Sequence, residues 1–316
     1  MRCPFLREEQ VKSCQAAPFR KSLARSSARV DLERCSSPAH ASCPVACQSH
    51  EAHPSPSRCP FLQESLVQFC AATPVPAYVP WSSSPELRCG HGGHRYCELF
   101  AAASGAPVGC LDAPAHDAPP REVAGVPMPG WLSYAPNHLW LDPGDDGVCH
   151  VGIDAFVAQL VGAVDALAFL TPRGAARPTV VLTVRGVDLT LVYPTVLVIV
   201  SANTRLRSSL DRLTADPYGL GWLFEARLPG DGLQERRADA QDPDGLLCGE
   251  SAREWMAHEV RRASAIVHNR LLSGRGERLA ADGGRFAPDL LRQLDREEAL
   301  RLFAELFPIP ESRRTP

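Results

Sequence analysis

Residues 180–200, VVLTVRGVDLTLVYPTVLVIV, place the strongest constraint on the fold. Valine, leucine, isoleucine and threonine dominate on both sides of Arg185-Gly186, and β-branched side chains favour extended backbone because they are stiff at χ1 and pack well on a pleated surface. The stretch is long enough to cross a bilayer as a helix. It contains Arg185, Asp188 and Pro194, however, so buried β structure is expected in place of a membrane span. From Trp131 to Leu228 short apolar runs alternate with Gly, Pro and Asp turns, which predicts a compact all-β domain over 131–230.

Near residue 250 the pattern turns helical. Ser251 and Glu254 read as a capping box before a face carrying Trp255, Val260, Ala263 and Val267, with Gly274 and Gly276 as the stop. Asp295 caps a second helix with Glu298 at its third position, putting Leu300, Phe303 and Leu306 on one side and ending at Pro308. The expectation is a C-terminal helical segment over 245–310 with loop between 275 and 288.

Residues 1–104 contain a repeat. CPFLREEQVKSC (Cys3 to Cys14) returns as CPFLQESLVQFC (Cys59 to Cys70), and each copy continues to a pair of cysteines with seven residues between them. The copies read C-x10-C-x20-C-x7-C (Cys3, Cys14, Cys35, Cys43) and C-x10-C-x18-C-x7-C (Cys59, Cys70, Cys89, Cys97). Two small irregular four-cysteine units are therefore expected, over 1–50 and 51–104, followed by a Pro-rich linker over 105–130. Each unit is too poor in apolar residues to fold on its own core, so a cross-link is required. Four thiolates suit zinc or an iron-sulfur cluster, both soft centres; a disulfide or bare thiols are the third alternative, and the spacing leaves the choice open. His40, His91 and His94 are read as solvated loop residues, and His138, beside Trp140 in a strand, as a packed histidine.

The net charge of -3 offers no field that would seek nucleic acid or an acidic membrane. Charges at Arg7, Glu8 and Glu9 interrupt what a secretory signal would need, so a cytoplasmic location is expected, where cysteines more often serve metal or redox chemistry than disulfides. Lysine is nearly absent. Lys12 and Lys21 are the only two among 33 Lys and Arg residues, so no side-chain amine exists from residue 22 onward.

In order along 134–222 stand YAPNHLW, VGIDAF, LTPRG, the β-branched hairpin running to Asn203, and DPYGLGW; GLLCGESAREW follows. These segments resemble the landmarks of the glycine cleavage system H-protein family. Within DPYGLGW, Asp216-Pro217 is expected to set a turn, Gly219 and Gly221 to adopt positive φ, and Trp222 to re-enter the core. The resemblance implies a mainly β fold with flanking helices, a lipoyl-carrier-like barrel-sandwich hybrid, in which a lysine at the hairpin tip bears lipoate through an amide. Matching the family's proline and asparagine to Pro194 and Asn203 puts that lysine position on Gly186, beside Arg185. The family's acidic residue three positions earlier becomes Thr183.

Arginine stays protonated and is a poor acyl acceptor, and glycine has no side chain, so no lipoate is expected on this chain. No catalytic constellation is evident and enzyme activity is not expected. The leading reading is a non-lipoylated H-protein-like binding or scaffold module with protein partners, joined to two four-cysteine metal units that sense redox state or relay electrons in a multiprotein complex. The competing readings are a glycine cleavage H-protein acting as aminomethyl carrier and an iron-sulfur electron-transfer protein.

Overall fold

The computed structural model describes residues 2–16, 21–23, 33–47, 57–81, 87–105, 121–144, 147–171, 173–228, 245–272 and 289–307. The chain divides into two compact units, one formed by Pro4–Ser83 and the other by Met1–Cys3 with Ser84–Pro316. This division does not follow the two repeat copies.

In the Pro4–Ser83 unit the copies pair with each other. Strand Leu6–Cys14 lies antiparallel to strand Leu62–Cys70 in the register Leu6↔Cys70 to Cys14↔Leu62, and Lys21–Leu23 and Ala77–Val79 flank them as edges of a four-stranded sheet. The arrangement has pseudo-two-fold symmetry. With the 56-residue offset of Cys3 to Cys59, the edge pairs Lys12↔Leu23 and Cys14↔Lys21 of the first copy become Gln68↔Val79 and Cys70↔Ala77 of the second. The expectation of irregular units is thus corrected. Two equal amphipathic strands, each with an unpaired edge, satisfy their backbone groups by pairing with each other.

In the other unit strands Ala166–Phe169, Thr179–Val184 and Val187–Val192 form one antiparallel sheet. Gly174–Ala176, Leu197–Ala202, Phe224–Arg227, Val148–Ile153, Leu139–Pro143 and Ser133–Tyr134 form a second, in that order. The β-branched hairpin alternates inward and outward as its pattern requires: Val180, Leu182 and Val184 on one strand, and Val187, Leu189 and Leu191 on the other, are buried. Both sheets feed one core, where Phe169 of the first meets Phe224 of the second edge-on at 5.3 Å. The unit is sheet-rich with helices around it, as the family resemblance implies.

The Pro-rich stretch is only partly linker. Residues 106–120 lie outside the described residues, but Arg121–Val123 and Val126–Met128 form a hairpin whose Val126 and Met128 are buried in the same core. Apolar side chains at every second position of this hairpin give it a face to bury, which proline content conceals.

The long helix spans Gly249–Leu272 and starts ahead of the expected capping box; the Ser251 hydroxyl donates to the Cys248 carbonyl at 2.7 Å and caps no amide. Its inner face is Ala252, Met256, Val260 and Ala263. Helix Arg296–Leu306 is capped as expected, Asp295 accepting from the Glu298 amide at 2.9 Å. Ala299, Leu302, Phe303 and Leu306 are buried while Leu300 is exposed, so the buried stripe keeps Phe303 and Leu306 of the expected face and has Ala299 and Leu302 in place of Leu300. A further short helix, Leu290–Gln293, precedes it. The stretch 275–288, expected to be loop, lies outside the described residues. Among the described residues no helix is long and apolar enough to cross a membrane.

Candidate functional site

The hairpin turns at Arg185 and Gly186, closed by the Val184↔Val187 pair. Both turn residues have positive φ, 50° and 74°, the geometry of a two-residue turn whose twist matches the strands. Nothing lies within 4 Å of where a Gly186 Cβ would stand, so position 186 faces open space. Thr183, where the resemblance leads one to expect an acid, donates its hydroxyl to Asp188 at 2.7 Å.

Arg185 is not a free cation. Its amide donates to the Asp165 carboxylate, and its guanidinium donates to the main-chain carbonyl of Arg292 on the short C-terminal helix. Arg292 answers with its own guanidinium, which donates to Asp165 at 2.9 Å and to the Ala163 carbonyl at 2.6 Å. Asp165 therefore joins tip and helix, and the Arg292 and Arg185 hydrogen bonds hold its carboxyl below the usual range. On the same helix edge Asp289 donates its amide to the Gln159 carbonyl at 3.1 Å, and Leu290 and Leu291 are buried. The sequence offers no sign of this latch, because Arg292 is more than a hundred residues from the turn.

His138 is fully buried, as expected of a packed histidine, in a ring of Phe156, Trp255 and Phe307, but it stands just before strand Leu139–Pro143 at a φ of 64° and not in the strand as expected. Its Nδ1 lies 2.7 Å from Asp154 and its Nε2 lies 3.7 Å from Glu259. Burial opposes its charge, but the two carboxylates prevail and raise its pKa above the ordinary value. Glu259 also loses hydration, yet the nearby His138 and the hydrogen bonds from Arg262 bring it down to about 2. This is a buried ionic group in which His138 Nε2 faces Glu259 by charge alone, and His138 and Asp154 are inaccessible to a substrate.

DPYGLGW forms the turn assigned to it, and Trp222, Leu223 and Phe224 are buried. Neither Gly219 nor Gly221 has positive φ, contrary to expectation. Glycine is required there by crowding: a Cβ at Gly219 would stand 2.4 Å from the Asp216 carboxylate, and one at Gly221 2.7 Å from the carbonyl oxygens of Arg212 and Asp216.

The second cysteine segment is fastened onto this β domain. Arg88 pairs with the buried Glu225 at 3.0 Å and lies 4.5 Å over the Trp222 ring. Tyr96 stacks on His150 at 3.9 Å and donates its hydroxyl to Asp142. His150 is held neutral, its pKa well below the ordinary value through burial and the charges of Arg88 and Arg95.

The eight repeat cysteines fall as follows. Cys3, Cys59 and Cys70 are buried, and Cys14, Cys35, Cys43, Cys89 and Cys97 are partly buried; no disulfide joins the described cysteines. Cys35, Cys43 and Cys59 pack in one small cluster with Phe61 and Leu62, and so gather from both copies. The expectation of solvated histidines is corrected for His40 and His94. Both are buried, their Nδ1 atoms 2.6 Å from the Ser37 carbonyl and 2.7 Å from the His91 carbonyl, because each ring closes a one-turn 3-10 helix Pro38–Ser42 or Gly92–Tyr96. Among the described residues no group of three or more His, Cys, Asp or Glu side chains stands in metal-holding geometry.

No protein-family model matches the chain. The chain is similar to the glycine cleavage system H protein of Pseudoalteromonas atlantica, 32% identical over 134 residues that cover 39% of this chain and 91% of that protein. It is 27% identical to that of Marinobacter nauticus over 117 residues, covering 36% and 89%. The crystal structure of the H protein from Mycobacterium marinum covers 42% of this chain and 98% of its own, at 22% identity and a TM-score of 0.31. An identity of 32% that spans nearly the whole of the Pseudoalteromonas protein assigns this part of the molecule: the chain belongs to the glycine cleavage system H protein family.

Proposed function

We propose that this protein is a lysine-less H-protein-like docking module, a folded carrier domain that binds protein partners but holds no acyl group, joined to a cysteine repeat that binds a thiolate-ligated metal, zinc or an iron-sulfur cluster, and senses redox state or relays electrons in a multiprotein complex. The observation that carries the first half is the tip itself. Gly186 occupies the position at which the family's lysine is expected, no lysine follows Lys21, and Arg185 beside it is engaged by Arg292. Amide attachment of lipoate needs a nucleophilic amine on an exposed turn, and a guanidinium remains protonated at neutral pH. The fold is then kept for its surface.

The relatives carry the name glycine cleavage system H protein, which makes the aminomethyl carrier the reading to test against. Coexpression of the full chain with a lipoyl ligase and lipoate, followed by intact mass, decides between them. An unchanged mass is expected. A lipoyl adduct mapped to residues 131–316 overturns the proposal.

The metal half is supported by composition: eight thiols recur at repeated spacing, and five of them, Cys14, Cys35, Cys43, Cys59 and Cys70, lie in a unit whose small core contains Cys59 and Leu62. Elemental analysis and an absorption spectrum of anaerobically purified protein test it. Bound zinc without color, or iron with broad visible absorbance, is expected; folded protein with neither metal overturns it.

A further inference from the structure

We infer that Cys14, Cys35, Cys43 and Cys59 are the ligands of one metal ion or cluster, so that a site is built from both copies of the repeat and neither copy forms one by itself. The inference deepens the metal reading above and rests on it. The sequence repeat groups Cys14, Cys35 and Cys43 with Cys3, whereas the backbone brings them to Cys59.

Three observations carry this. First, the Cys59 amide donates to the Cys35 carbonyl at 2.8 Å, which joins the start of the second copy to the cysteine pair of the first. Second, the register Cys14↔Leu62 puts Cys14 about 5 Å, Cα to Cα, from a residue that is itself one turn from Cys59, since the Leu62 amide donates to the Cys59 carbonyl at 3.1 Å. The Gln15 amide, donating to the Phe61 carbonyl at 2.9 Å, holds the end of that strand against the same turn. Third, Cys43 packs on the Cys59–Leu62 cluster, and its amide closes the 3-10 turn on the His40 carbonyl at 2.9 Å. His40 braces that turn through Ser37, and so fixes the spacing of Cys35 and Cys43.

The backbone contacts recur at the repeat-equivalent positions, where accident would not be expected to reproduce them. The Cys3 amide donates to the Cys89 carbonyl at 3.0 Å, and the Cys97 amide to the His94 carbonyl at 3.0 Å. Four thiolates brought together from one strand end and the turns beside it suit a tetrahedral soft centre, and four thiols bound as thiolates release their protons to solvent. The thiol side chains are not grouped in coordinating geometry, so metal binding requires their rotation about χ1 toward a common point within a locus the backbone already sets.

The test uses Cys14→Ser and Cys59→Ser, one from each copy, in the full chain, with zinc, iron and acid-labile sulfide measured per chain. If the two residues share a site, each single variant loses one metal centre and the double variant loses the same one. If each copy forms its own site, the double variant loses two, and the inference is overturned while the metal reading stands. Wild-type protein that binds neither zinc nor iron overturns both. Colorless protein with zinc, or iron matched by sulfide, identifies the centre without changing the grouping.

A second measurement needs no variant to fold. Brief oxidation of metal-stripped wild-type protein, with disulfides mapped by peptide mass, is expected to join Cys59 to Cys35, Cys43 or Cys14. Cys59 joined to Cys70, Cys89 or Cys97, or left without a disulfide, overturns the inference.

Discussion

Arg185 at the hairpin tip donates from its guanidinium to the main-chain carbonyl of Arg292, and Asp165 ties both residues together from below. The turn on which the family resemblance expects an exposed acyl-lysine is here held by the protein's own C-terminal helix.

Replacing Gly186 with lysine would supply the missing amine in open space. We expect Gly186→Lys to accept lipoate from a lipoyl ligase detectably, and Gly186→Lys/Arg292→Ala to accept it faster, because losing the Arg292 guanidinium releases the short helix from Asp165 and Ala163 even though the main-chain carbonyl that accepts from Arg185 remains. Arg292→Ala alone should cost no more than about 1 kcal/mol, since the Asp165 pair it breaks is half exposed. Intact mass over time and a urea titration measure the two effects. Equal lipoylation with and without Arg292 would show that the latch does not restrict the tip.

The Arg88–Glu225 pair should hold the second cysteine segment to the β domain. Glu225 is fully buried, and removing its cation leaves an uncompensated charge. Arg88→Ala is expected to cost about 3–5 kcal/mol. Adding Glu225→Gln should recover part of that loss, which a double-mutant cycle by chemical denaturation would read.

Two of the buried histidines, His138 and His150, are wired in opposite senses. His138 has a raised pKa, so its stabilisation is full below the unfolded value of about 6.5 and is lost as pH rises through its higher folded value. His150 has a depressed pKa, so it favours the folded state at higher pH and costs stability as pH falls below about 6.5. His138→Gln should therefore leave a stability that rises with pH between about 5 and 7, and His150→Gln one that falls as pH increases from about 6.5. Thermal midpoints across that range, with both variants showing the same slope, would refute the assignment.

Gly221→Ala should cost about 1–3 kcal/mol, because its Cβ meets two carbonyl oxygens at 2.7 Å that the turn cannot move apart. Gly186→Ala meets nothing and should cost only the roughly 1–2 kcal/mol of a left-handed backbone. Melting temperatures of the two variants test the ranking.

Much of this molecule is local and therefore legible in its sequence. Strand alternation in 179–192, the Asp295 cap, the turn at Asp216-Pro217, the burial of His138 and the lack of an amine beyond Lys21 follow from residue type and near-neighbour spacing. Where a glycine sits is also legible, but the reason it is needed is not: at Gly219 and Gly221 the limit is a neighbour's oxygen atoms, which only the folded turn brings close.

The tertiary structure alone decided which partners meet. A repeat specifies two equivalent strands, and antiparallel pairing between the copies then carries Cys59 to Cys35. Arg185 and Arg292, or Arg88 and Glu225, are likewise joined across long stretches of chain whose spacing carries no signal. Periodicity records which face of an element is apolar. The choice of what covers that face is made by the closing of the chain, where buried charges and unpaired backbone groups must find partners or forfeit their hydration.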